Sequence, residues 1–222
     1  MYSRGESMNR ENNYEICYEN MCKEFVKYNP EEVAKKSRAY YDSEKKQFTL
    51  TCFNKEYLIS YPEGNIVLKH DKEKDASIDV NTMLMLKMLM LSYLYRATNS
   101  RLTNKWVPLR ELEGVGHAYQ GFADRGIDKL VEFFGHKGEL FLEAGLKLGG
   151  KKFDVGDVGI KINILPNVPM AFGLWTADEE FPADATILYD CSAVKELHVE
   201  DLAGLCFEAA DEIIRAAKSI HN

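Results

Sequence analysis

An acidic segment near the C-terminus carries the densest set of side chains that could do chemistry. Four carboxylates lie close together along the chain there: Asp178, Glu180, Asp184 and Asp190. Carboxylate oxygens are the ligands that hard divalent cations prefer, and two carboxylates in different environments can divide into an acid and a base. The sequence therefore predicts that these four side chains hold a divalent metal or act as acid and base.

Aromatic side chains accompany the same carboxylates. The candidate ligand-binding residues in this segment are Trp175, Asp178, Glu179, Glu180, Phe181, Asp184 and Asp190. The alternative interpretation is a solvated acidic loop that Trp175 and Phe181 pin to a sheet. The two interpretations predict different geometries. A metal or catalytic site needs the acidic side chains to converge on one cavity, whereas a solvated loop lets them point apart into solvent.

Other motifs give weaker signals. Residues 145–152 nearly match the phosphate-binding pattern G-x-x-x-x-G-K-[ST], but Lys152 replaces the hydroxyl and a helix is predicted before the glycines, so we favour a glycine-rich turn. The cysteines form no C-x-x-C pair, so the sequence has no local iron–sulfur cluster motif. The histidines are scattered, and His198 is expected to help cap the last helix.

Composition excludes several classes of partner. The 222 residues carry a net charge of −7, which disfavours non-specific binding to nucleic acid and to anionic membrane surfaces. Residues 1–6 have no apolar core of a secretory signal, and the longest apolar stretch, 82–95, is too short for a bilayer crossing and contains Lys87. The sequence predicts a cytoplasmic protein with no nucleic-acid and no membrane partner.

Hydrophobic periodicity places these residues on an α+β fold. It predicts helices over 12–28, 31–41, 81–98, 127–134, 140–149 and 202–217, and strands within 47–69 and over 158–164, 169–175 and 186–190. Helices and strands come in blocks, which is typical of antiparallel sheets. We expect a single domain over 1–222, with 1–11 a flexible tail, in which antiparallel meanders pack against a buried central helix and an amphipathic C-terminal helix.

Several segments match the pattern of one family. The most specific are W-x-x-D-E-E-F-P at 175–182, I-L-Y-D-x-S-A at 187–193 and W-V-P-L-R-E-L at 106–112, and Tyr119-x-x-Phe122 adds Tyr119 to the candidate ligand-binding residues. The chain resembles, over nearly its whole length, an uncharacterised domain-of-unknown-function family of anaerobic bacteria and archaea. Some members of that family are fused to a four-cysteine iron–sulfur domain like that of corrinoid iron–sulfur proteins, and these 222 residues do not contain its cysteines.

Three functional hypotheses follow from these observations. The resemblance implies a binding or accessory domain in anaerobic metallocofactor or corrinoid-linked metabolism, with an iron–sulfur or corrinoid protein as its partner. The acidic segment 175–190 predicts instead an enzyme that depends on carboxylates or on a divalent metal, the one cofactor that its residues suggest. The apolar helix 81–97 could serve a structural or oligomeric module as its interface.

Overall fold

The α+β class with antiparallel sheets is confirmed by a computed structural model, which describes residues 4–69, 80–115 and 119–220. The helices are α1 (Arg4–Phe25), α2 (Pro30–Ser37), α3 (Val80–Arg96), α4 (Gln120–Phe134), α5 (Gly138–Lys147) and α6 (Val199–Lys218). The strands are β1 (Tyr40–Asp42), β2 (Gln47–Cys52), β3 (Lys55–Ser60), β4 (Ile66–Leu68), β5 (Trp106–Pro108), β6 (Lys151–Lys152), β7 (Val158–Leu165), β8 (Val168–Trp175) and β9 (Asp184–Asp190). Short 3₁₀ turns follow β5 and β9, over Leu109–Glu111 and Cys191–Lys195.

The chain divides into two compact units, one formed by residues 1–51 and 55–99 and the other by 52–54 and 100–222. The expectation of a single domain over 1–222 stays a prediction. The flexibility of residues 1–11 also stays a prediction, and residues 1–3 lie outside the described part of the chain. The first helix, α1, begins at Arg4, whereas the sequence predicts its beginning at residue 12.

The first unit combines three helices with a four-stranded sheet of order β1-β2-β3-β4. Both α1 and α2 pack on α3, whose second half is buried, as the apolar pattern predicts for a central helix. The hydroxyl of Tyr93 in α3 donates to the Ser37 carbonyl at the end of α2, at 2.9 Å. The ring of Phe25 in α1 packs against Phe48 in β2. Aromatic burial and this hydrogen bond therefore connect the helices with each other and with the sheet.

The second unit packs α4, α5 and α6 on one face of a five-stranded antiparallel sheet of order β5-β9-β8-β7-β6. Ile160, Ile162 and Ile164 point to that face, as their alternation along the sequence predicts, and all three are fully buried. The C-terminal helix α6 has the predicted apolar stripe. It is also buried at Glu208 and Glu212, which lie outside that stripe.

Gly126 in α4 is required by a close approach to α6. A Cβ at this position would lie 2.8 Å from the Cys206 carbonyl oxygen, whereas a Cβ at Gly121 in the same helix would meet no described atom within 4 Å. We expect Gly126→Ala to lower the free energy of unfolding by about 1–3 kcal/mol, because the helices must separate. Gly121→Ala should leave it unchanged or raise it by about 0.5 kcal/mol through helix propensity. Urea unfolding of both variants tests this, and equal effects would contradict it.

Both sheets end in short strands. The outermost strands β1, β4 and β5 have three residues each, and β6 has two. Pro108 lies in β5, and both residues of β6 are lysines. By contrast, the inner strands have six to eight residues.

The short outer strands β1, β5 and β6 were not predicted from the sequence, because two or three residues show no measurable alternation. The predicted helix over 31–41 is wrong at its end, since α2 ends at Ser37 and Tyr40 and Tyr41 belong to β1. Residues 145–152 form a helix end, a turn and a strand, which is the reverse of the strand-to-helix order in a phosphate-binding loop. In the described part of the chain, no helix combines the length and the apolarity that a bilayer crossing requires.

Candidate functional site

The acidic segment forms the connection between β8 and β9, and Asp178 determines its shape. The Asp178 carboxylate accepts hydrogen bonds from the backbone N–H groups of Phe181 and Glu180, at 2.7 and 2.8 Å. These hydrogen bonds to the charged form lower the pKa of Asp178. The Asp178 N–H also donates to the Phe181 carbonyl at 3.0 Å. Asp178 therefore closes a tight turn, a role that aspartate commonly has in loops.

The same loop is attached to the end of α4. The Ala177 N–H donates to the Gly135 carbonyl at 2.9 Å, and a Cβ on Gly135 would lie 2.9 Å from the Cβ of Ala183. On the other side, the Asp157 carboxylate accepts from the backbone N–H and the hydroxyl of Thr176. The loop is therefore attached to the end of α4 through Ala177 and to Asp157 through Thr176.

A crevice of about 440 Å³ lies between this loop and the end of α4. Its apolar wall is formed by Val131, Phe133, Ala177, Pro182 and Ala183, and its polar groups by Glu132, His136 and Lys137. The Lys137 ammonium lies 4.8 Å from the centre of the Phe133 ring, a favourable cation–π distance. The crevice is partly open to solvent, its lining is more apolar than polar, and its volume lies towards the lower end of the range of ligand-binding cavities.

Two aromatic side chains of the predicted site are exposed. Phe181 is 67% and Trp175 39% accessible, and Glu179 and Glu180 beside them are exposed as well. The expectation that Trp175 and Phe181 pin the loop is therefore wrong for Phe181. The carboxylate of Asp178 holds the loop instead.

Asp190 does not belong to this loop. It ends β9, whereas Asp184 begins the strand, so the two lie about 20 Å apart at roughly 3.3 Å per residue. Asp190 is fully buried and accepts hydrogen bonds from Thr103, Asn104 and Ser192. Burial raises the pKa of Asp190, but these hydrogen bonds outweigh it and lower the pKa below its ordinary value. Asp190 therefore holds the chain segment that precedes β5.

The four predicted metal ligands are consequently not brought together. Asp178 closes its turn, Asp184 accepts from the N–H of Ala185 at 2.8 Å, and Asp190 lies at the far end of the strand. Among the residues that the structure describes, no three His, Cys, Asp or Glu side chains form a group that could hold a metal ion. The expectation that Asp178, Glu180, Asp184 and Asp190 converge is wrong. Asp178 and Asp184 accept hydrogen bonds from backbone N–H groups of their own segment, and Asp190 lies at the far end of β9.

Tyr119 is also remote from the crevice. It directly precedes α4, about 20 Å along the helix axis from the Phe134 end. Its hydroxyl donates to the Glu200 carboxylate at 3.0 Å, and this hydrogen bond raises the pKa of Tyr119. Tyr119 therefore connects the beginnings of α4 and α6. His198 acts as predicted, since its ring accepts from the Glu200 N–H and caps α6.

The model of a family described as a domain of unknown function, DUF3786, matches residues 29–211. The chain belongs to this family. The expected membership of a domain-of-unknown-function family is thereby confirmed, and the match includes α2 to α5, all nine strands, the crevice and most of α6. No curated protein and no solved structure is significantly similar to the chain.

The DUF3786 domain also contains a buried carboxyl group that sequence reasoning missed. Glu208 in α6 is 3% exposed, and its Oε2 has no hydrogen-bond partner among the described residues. Burial raises the pKa of Glu208 to about 7, although Arg215 and Lys129 oppose this shift. The missed signal was a pair of glutamates, Glu208 and Glu212, within an otherwise alanine-rich and isoleucine-rich helix.

The polar residues of the crevice were missed as well. Glu132, His136 and Lys137 lie around the end of α4, which the sequence located through Gly135. The sequence did not reveal that the loop 176–183 packs on this helix end. That contact depends on the hydrogen bond from the Ala177 N–H to the Gly135 carbonyl, whose residues are more than forty positions apart.

Proposed function

We propose that this DUF3786 domain is a binding or accessory domain, and that the crevice between loop 176–183 and the end of α4 is where it binds its partner. The observation that carries the proposal is the preformed crevice itself. Its walls are held by the Asp178 turn and by the hydrogen bond from Ala177 to Gly135. Such pre-organisation reduces the conformational entropy lost on binding.

The dimensions of the crevice favour a segment of a partner protein over a free cofactor. A volume of about 440 Å³ accommodates a few side chains, whereas a corrin macrocycle with its nucleotide tail is larger. The exposed Phe181 beside the crevice adds apolar surface that a partner would cover. Aromatic side chains are enriched among the residues that dominate binding energy in protein interfaces.

The resemblance to a family of anaerobic bacteria and archaea supports the metabolic setting. We propose that the domain acts in anaerobic metallocofactor or corrinoid-linked metabolism, and that its partner is an iron–sulfur or corrinoid protein. Fusion to a four-cysteine domain in related chains would be a covalent form of the same association.

Filling the crevice tests the proposal. Ala177→Phe places a ring in the cavity while keeping the backbone N–H that bonds to Gly135. Anaerobic titration calorimetry with a purified four-cysteine iron–sulfur protein and with a purified corrinoid protein should give micromolar binding to one of them. We expect the variant to bind at least about tenfold more weakly, a difference of about 1.4 kcal/mol.

Ala34→Phe is the matched control, because Ala34 lines a different cavity in the first unit. It should bind like the wild type. The proposal is overturned if the wild type binds neither protein, or if Ala177→Phe binds as tightly as Ala34→Phe.

A further inference from the structure

The face of the five-stranded sheet opposite the helices has an organised surface of its own. The side chains on this outer face alternate with the buried isoleucines of β7, and they include Gly159 and Lys161. Glycine at 159 and 173 leaves room for Val155, because a Cβ at either position would lie within 3 Å of that residue. The loop 153–157 thus covers the middle of the outer face. On this face Pro169, Ala171 and Gly173 of β8 are buried, whereas Lys151 at one end and Trp175 and Asp184 at the other are exposed.

One end of the outer face is basic. Lys151 and Lys161 are direct partners in the β6–β7 ladder, so their side chains lie on the same face. The Lys161 ammonium lies 5.8 Å from the rings of both Trp106 and Phe153. Within the described residues, neither lysine forms an ion pair. Like charges directly opposite each other in a sheet are destabilising, so this end favours contact with an anionic group.

The other end of the outer face is acidic. Trp175 and Asp184 are direct partners in the β8–β9 ladder, four residues along β8 from the partner of Lys161. This separates the two ends by about 13 Å. Both Trp175 and Asp184 are exposed, and Glu179, in the loop that follows β8, is exposed as well. Asp154, in the loop 153–157, is exposed.

We propose that the outer face binds a second copy of this chain in an antiparallel, two-fold symmetric arrangement. The symmetry places the acidic end of each copy against the basic end of the other, so one surface satisfies both partners. Lys151 and Lys161 then face Asp184 and Glu179 of the second copy, and the repulsion within the lysine pair is relieved. Trp106 and Trp175 supply an aromatic anchor at each end.

The area of the face indicates a weak dimer. Five strands of two to eight residues at a spacing of about 4.8 Å give at most roughly 450 Å² per copy, and the loop 153–157 covers part of it. This is below the usual size of a stable interface, so the contact is a weak one. The contact depends on charge, and the dimer should therefore dissociate as salt is raised. The crevice lies at the end of α4, on the helix side, so this inference does not depend on the proposed function.

Two variants, each with the charges reversed at one end of the outer face, test the dimer. Each is measured alone and in a mixture with the other by analytical ultracentrifugation. The basic-end variant is Lys151→Glu/Lys161→Glu, and the acidic-end variant is Glu179→Lys/Asp184→Lys. We expect a salt-sensitive dimer for the wild type and a dissociation constant raised at least about tenfold for each variant alone. An equimolar mixture of the two variants should restore the dimer, because both contacts are again between opposite charges.

Lys35→Glu/Lys195→Glu changes the net charge by the same amount as the basic-end variant and should dimerise like the wild type. Thermal unfolding of each variant at high salt establishes that it is folded. A wild type that stays monomeric at low salt and high concentration overturns the proposal. So does a mixture that remains monomeric although each variant is folded, or a dimer that neither variant weakens.

Discussion

Replacing Asp190 with asparagine should lower the free energy of unfolding by about 3 kcal/mol. Four of the hydrogen bonds that Asp190 accepts converge on Oδ1, from Thr103 and Ser192, and Oδ2 accepts the Asn104 N–H at 2.6 Å. An asparagine can supply only one acceptor oxygen, so its amide group would face a donor in a buried position. Hydrogen bonds to charged groups contribute about 1.5–3 kcal/mol each, and an unsatisfied buried donor costs a similar amount.

The measurement is urea unfolding monitored by tryptophan fluorescence. Asp184→Asn, at the exposed beginning of the same strand, is the control, and its effect should stay within about 0.5 kcal/mol. In the Asp190 variant the segment before β5 should loosen, and trypsin should then cleave after Arg101 and Lys105 faster than in the wild type. Equal stability of the two variants would show that the buried carboxylate does not hold this segment.

The effect of Asp190→Asn should also depend on pH in a defined direction. The pKa of Asp190 is lowered in the folded protein, so its carboxylate stabilises the fold above the ordinary pKa of about 3.9. That contribution is lost as the pH falls through the folded-state pKa. The difference between wild type and variant should therefore be constant near neutral pH and shrink in strong acid.

Glu208→Gln should stabilise the protein, in contrast to Asp190→Asn. We expect it to raise the free energy of unfolding by about 2 kcal/mol at a pH of about 8. The pKa of Glu208 is raised to about 7 by burial, so the folded state prefers the protonated side chain. The contribution of protonated Glu208 to the free energy of unfolding is fully present below the pKa of about 4.3 that this group has in the unfolded chain. It is lost as the pH rises towards 7. Glutamine stays neutral, and the variant should not show this decline.

Glu212→Gln is the matched control on the same helix. Glu212 is also buried, but its carboxylate accepts a hydrogen bond from the Arg215 guanidinium at 2.9 Å. Glutamine keeps an oxygen that can accept this hydrogen bond but loses the charge that pairs with the buried guanidinium, so the variant should be less stable than the wild type by about 1–3 kcal/mol. Thermal unfolding from about pH 5 to about pH 8 distinguishes the two. A Glu208→Gln variant that declines with pH like the wild type would contradict the assignment.

The long elements of the fold could be predicted from the sequence, because they carry a repeating physical signal. Ile160, Ile162 and Ile164 alternate along β7, and the stripe of α6 repeats over several turns. The end of the α4 prediction at Phe134 is confirmed as well. Elements such as β6 could not be predicted, since two residues show no alternation and their pairing with β7 is visible only in the folded chain.

The segment that carries the candidate site could be located from the sequence as a loop between two strands, whereas its role in binding stays a prediction. The segment 175–184 does form a loop beside a cavity, and Trp175 and Glu180 are exposed. Carboxylates, however, serve metal binding and backbone capping equally well, and spacing alone does not distinguish the two roles. Asp178 satisfies two N–H groups of its own loop, and Asp190 satisfies distant donors that only the folded chain brings near.

The short outer strands bear on how this protein behaves when it is concentrated. Fibrils grow when one chain adds a strand to the open edge of another, and such growth needs a long run of unpaired N–H and C=O groups. Strands of two or three residues supply too few of these groups, Pro108 removes one donor, and the charges of Lys151 and Lys152 repel a second edge. Concentrated samples should therefore remain free of cross-β aggregates and of thioflavin signal as long as the fold is intact.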